Sequence, residues 1–132
     1  MNVPLVVAGA LALLAAAVHG VAGEVLVVRR LSPRGLPATR FGGPGTTMTM
    51  IRATWHMTTI GFLTVGSALV LSGSVLHGDL ARGIGLVAAG AATGFAAVAV
   101  GGALARSPRS LFRHPAPVLL TLVAVLAWSG IA

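Results

Sequence analysis

The chain has 132 residues, of which 56% are hydrophobic and 8% charged, with a formal net charge of +7 carried by arginine and no cysteine. Soluble domains carry about 25% charged residues, so this composition excludes a soluble enzyme, a disulfide-stapled secreted scaffold and a disordered tail. Without cysteine there is no disulfide, no thiolate metal site and no thiol redox chemistry.

A membrane-spanning helix needs about 20 mainly apolar residues to cross a hydrocarbon layer about 30 Å thick. Four stretches meet that need or approach it, and together they predict an all-α, four-helix transmembrane bundle forming a single domain over residues 1–132. The first runs from about Pro4 to Val28 and is interrupted only by His19 and Glu24. It lacks a basic leader and is longer than the apolar core of a signal peptide, so it is expected to be retained. The connection after it carries Arg29, Arg30, Arg34 and Arg40 among prolines and glycines, which excludes a regular helix there.

The second stretch, Met48 to Ser72, has Arg52 and His56 near its start, and a polar turn from Gly73 to Arg82 follows. The third, Gly83 to Ala105, has no ionisable side chain. A connection with Arg106, Arg109 and Arg113 leads to the last and shortest stretch, Pro115 to Ala132. Alternation of apolar and polar residues, the mark of barrel strands, is missing.

Arginines gather in the first and third connections, whereas the second has only Arg82, offset by Asp79. The positive-inside tendency then puts the first and third connections in the cytoplasm and both termini on the outer side, as in a bacterial inner-membrane protein. Both basic loops are expected to attract anionic lipid headgroups. Phe41, Phe112 and Trp128 suit the aromatic belt at the interface, and the lack of base-stacking aromatics argues against nucleic acid. Ser-Pro-Arg recurs at Ser32–Arg34 and Ser107–Arg109, which fits two parallel-repeat helical hairpins and fits chance equally well.

Small residues supply helix packing faces: Ala12, Ala16 and Gly20 on the first helix, Gly90 and Gly94 on the third, the latter within the chain or against a second copy. A homodimer or a larger membrane complex is the expected assembly.

The polar groups within the apolar stretches carry the functional expectation. Counted from the first connection, Glu24 and Arg52 lie at one depth, about 7.5 Å in, and His19 and His56 at a second, about 14 Å in. Charged groups in hydrocarbon are costly, so Glu24 and Arg52 are expected to form an ion pair facing the interior. His19 and Glu24 are five residues apart, about 140° round an α-helix, so they flank one face instead of sharing it. His114, just before the last helix, is expected at the same surface, while His77 reads as a solvated loop residue.

Three functions fit this cluster. The first is haem or transition-metal binding, with His19 and His56 as axial ligands, Glu24 and His114 as further candidate metal ligands, Arg52 meeting the propionates, and Gly20, Gly23 and Gly61 leaving room for a flat ring. In the second, Glu24 exchanges protons in a dimeric transporter. Four short helices with one membrane carboxylate on the first resemble the small multidrug resistance transporters, although this chain has no tyrosine to line a cavity. In the third, favoured here, the cluster is a set of satisfied interhelical contacts in an accessory or structural subunit. No serine–histidine–acid set, HExxH motif, paired carboxylates or phosphate-cradling loop is present, which makes an enzyme the least favoured class.

Overall fold

The computed structural model describes residues 1–132 and is all-helical, with no strand beyond an isolated bridge between Thr39 and Gly42. Helix α1 (Val3–Ala17) continues through a π-helical turn (Val18–Ala22), a short α2 (Gly23–Leu26) and a 3-10 turn (Val28–Arg30). A second 3-10 turn (Pro33–Gly35) lies in the first connection, followed by α3 (Pro44–Ser74), α4 (Gly78–Leu104), a short α5 (Ser110–Arg113) and α6 (Pro115–Ser129).

Three helical rods are long and apolar enough to cross a membrane: Val3–Arg30, Pro44–Ser74 and Gly78–Leu104. α6 has 15 residues. At 1.5 Å per residue it is about 22 Å long, short of a hydrocarbon layer of about 30 Å. The fourth expected span therefore ends as regular helix at Ser129, and the last three residues form a turn on Leu126 and Trp128. The polar turn after α3 is also shorter than its composition suggests. Gly78, at φ +60°, lets the chain reverse, and Asp79 and Arg82 already belong to α4.

By its contacts the chain divides into two compact units, Met1–Ala15 with Phe62–Ala132, and Ala16–Gly61. In the larger unit, glycine permits helix backbones to touch. A Cβ on Gly9 would lie 2.6 Å from the carbonyl oxygen of Gly66, and one on Gly66 would lie 2.9 Å from that of Gly9. Close backbone approach is the main attraction open to helices in lipid, where apolar side chains gain nothing from leaving the tails. Ala12, of the expected small-residue stripe, is buried on the same helix, and so is Ala8.

α4 packs on α6, and the residues buried along the two helices are mostly small: Gly85, Ala88, Ala89, Ala92 and Ala96 on α4, and Leu120, Val123, Ala124 and Ala127 on α6. Trp128 Nε1 donates to Thr93 Oγ1 at 3.0 Å across this pair, and Phe62 meets Phe95 edge to face at 4.7 Å. The expected Gly90/Gly94 packing face is different: a Cβ at either would meet nothing within 4 Å. The buried small residues of α4 are alanines, while Gly90 and Gly94 lie on its open side.

In the smaller unit the first connection is tied to the start of α3, with Thr47 Oγ1 donating to the Pro37 carbonyl at 2.8 Å. Arg40 lies over the Phe41 ring, 5.1 Å from its centroid.

Candidate functional site

The polar cluster lies wholly within the smaller unit, between the rod ending at Arg30 and the first half of α3. Its origin is the π-helical turn. There the backbone N–H of Gly23 bonds to the carbonyl of Val18, five residues back. Such a turn widens the helix and brings residues five apart onto one face. His19 and Glu24 have that spacing, so both side chains meet α3, and the 140° separation of an ordinary helix does not apply.

His19 is joined to α3 by a closed circuit. Its Nδ1 is 2.9 Å from Thr59 Oγ1, whose hydroxyl donates back to the Trp55 carbonyl at 3.3 Å. With the Thr59 proton used there, the network assigns His19 Nδ1 as donor. Trp55 Nε1 in turn donates to the His19 carbonyl at 3.2 Å. The His19 and Trp55 rings stack with centroids 4.1 Å apart and planes 15° from parallel. A π-turn leaves carbonyls without their regular helical partner, and here an indole supplies one.

Small residues let the two helices come this close. A Cβ on Gly20 would lie 2.8 Å from Thr59 Cγ2, and one on Gly23 would collide with the Trp55 ring. These glycines were expected to leave space for a flat ring, and that space is taken by Thr59 and Trp55.

The Glu24 carboxylate is one helical turn closer to the loop, and its side chain is 24% exposed. Oε1 lies 3.5 Å from Arg29 Nε, and Oε2 lies 3.8 Å from His56 Nε2. Oε2 is buried without a hydrogen-bond partner. The expected pair with Arg52 does not form: Arg52 is exposed, and the Glu24 carboxylate lies instead against Arg29 and the His56 ring. The depth count took Thr47 as level with Arg29. Glu24 instead meets His56, one turn further along α3 than Arg52, and Arg29, which the 3-10 turn Val28–Arg30 carries at the end of its own rod.

No group of three or more His, Asp and Glu side chains could hold a metal ion, so His19, His56, Glu24 and His114 do not form the expected ligand set. His114 belongs to the larger unit, where its Nδ1 accepts from the Ala116 backbone N–H at 3.2 Å and caps α6. Sequence reasoning missed Trp55 and the partnership of Arg29. The signal for Trp55 was available, because an indole N–H in an apolar stretch needs an acceptor.

These features define a class: an all-helical chain with three rods long and apolar enough to span a bilayer, and a polar interlock between the first two. The chain matches no protein family, no curated protein and no solved structure with which it was compared.

Proposed function

We propose that the chain is a multi-pass membrane protein acting as a non-catalytic accessory or structural subunit, with its polar cluster holding the first two spans in register. One observation carries this reading. The His19 Nδ1, one ring face and the carbonyl are all engaged by Thr59 and Trp55, which ties the first rod to α3 at three points, as a structural joint requires. In this reading α6 is a fourth, short crossing, completed by a locally thin bilayer or by neighbouring protein. Both termini face outward in a bacterial inner membrane, and the arginine loops lie against anionic headgroups on the cytoplasmic side.

The native mass of the protein extracted in mild detergent tests this role. A complex heavier than any small multiple of 13.1 kDa supports a subunit. A species of one, two or four copies alone contradicts it.

A second reading, proton-coupled transport by a dimer, draws on the buried Glu24 Oε2, which has no hydrogen-bond partner and lies 3.8 Å from His56. Proton flux through liposomes that falls to the protein-free level in Glu24→Gln would favour transport. Equal flux in both proteins would leave the structural role.

A further inference from the structure

Outside the polar cluster, Asn2 gathers the helix ends of the larger unit. Its backbone N–H donates to the Gly73 carbonyl at 2.7 Å, its Nδ2 donates to the Gly130 carbonyl at 2.6 Å, and its Oδ1 accepts from Leu5 N at 3.3 Å to cap α1. The ends of α3 and α6 are thus pinned beside the start of α1. Between them and the start of α4 lies a cavity of about 300 Å³, bordered by Leu5, Ser72, Gly78, Arg82 and Ile131.

Three polar features of this cavity have no partner. Ser72 is 6% exposed, and its Oγ is buried without a hydrogen bond. Serine in a helix commonly bonds back to the carbonyl four residues earlier, as Ser74 does to Val70 at 2.6 Å, and Ser72 does not. Arg82 is exposed and forms no ion pair, although Asp79 is on the same helix, and Asp79 does not border the cavity. The 27-residue α4 begins at the cavity wall with Asp79 in its first turn and no side-chain cap from His77.

We infer that this cavity binds a phosphate-sized oxyanion, held by the Arg82 guanidinium and the Ser72 hydroxyl at the start of α4. An unpaired guanidinium matches phosphate oxygens with a planar fork of donors, and a helix start adds backbone N–H groups and a partial positive charge. The Ser72 Oγ gains the acceptor that its burial otherwise denies it. Leu5 and Ile131 add apolar lining that suits the acyl part of a lipid. The phosphate can come from a lipid headgroup or from a soluble phosphate, and the inference stands whatever role the His19 cluster has.

Calorimetric titration of the detergent-purified full chain separates the outcomes, with inorganic phosphate, dioctanoyl phosphatidic acid and dioctanoylglycerol as probes. The expected result is saturable binding of a phosphate-bearing probe that weakens about tenfold or more in Arg82→Gln and measurably in Ser72→Ala. Binding of both phosphate probes indicates a soluble oxyanion source, and binding of phosphatidic acid alone indicates a headgroup. Ser72→Ala removes a buried unsatisfied hydroxyl and is expected to fold at least as well as the parent, so it serves if Arg82→Gln does not fold. Binding unchanged in either folded variant, dioctanoylglycerol binding as tightly as phosphatidic acid, or no binding of either phosphate probe overturns the inference.

Discussion

The Trp55 indole donates to the His19 carbonyl at 3.2 Å while its ring lies 4.1 Å from the His19 imidazole. One side chain therefore satisfies a carbonyl displaced by the π-turn and covers the face of the residue that carries it. Trp55→Phe keeps an aromatic face and removes the donor. It is expected to lower unfolding stability in detergent by about 0.6–1.5 kcal/mol, the range of a hydrogen bond between membrane helices. Trp55→Ala, which loses the stack as well, is expected to cost more, and equal melting curves for the two variants would speak against the stacking contribution.

The contact of Gly9 with Gly66 makes a second prediction. A methyl at Gly66 would lie 2.8 Å from Leu13 Cγ and 2.9 Å from the Gly9 carbonyl, and backbone cannot rotate out of the way. Gly66→Ala is expected to destabilise by about 1–3 kcal/mol through overpacking. Gly94→Ala meets open space. It is expected to be neutral or to stabilise, by up to about 1 kcal/mol from helix propensity alone. Parallel thermal melts of the two variants check both.

Arg29 and Arg52 are expected to differ in their coupling to Glu24. A double-mutant cycle between Glu24→Gln and Arg52→Gln should give no interaction energy, because Arg52 does not touch the carboxylate. The cycle with Arg29→Gln should give a small favourable one that shrinks as salt is added, since Arg29 is mostly exposed. Coupling to Arg52 as large as that to Arg29 would restore the pairing inferred from depth alone.

The long rods were legible because a bilayer imposes length and hydropathy, and Val3–Arg30, Pro44–Ser74 and Gly78–Leu104 answer that demand over many residues. The cluster was legible only as polar residues in apolar surroundings, of which His19 contacts Thr59 and Glu24 contacts His56. Its pairing was not, because α-helical periodicity was carried through Val18–Ala22, where the helix is π. The five-residue spacing of His19 and Glu24 was the trace of that turn in the sequence. Arg29 was read as a topological anchor, and the winding at Val28–Arg30 that brings it back to Glu24 follows from local backbone geometry, which composition does not encode. The convergence of helix ends on Asn2 had a visible cue, an asparagine directly before an apolar helix, where its side chain caps free N–H groups.

A double-mutant cycle of His19→Phe with Thr59→Val measures most directly whether the His19, Thr59 and Trp55 circuit joins the first rod to α3. Unfolding free energies in detergent are expected to show a coupling of about 0.5–1.5 kcal/mol between the two positions, with the proton permeability of reconstituted vesicles unchanged. Strictly additive stability effects, or vesicle permeability that changes with either substitution, would contradict such a joint.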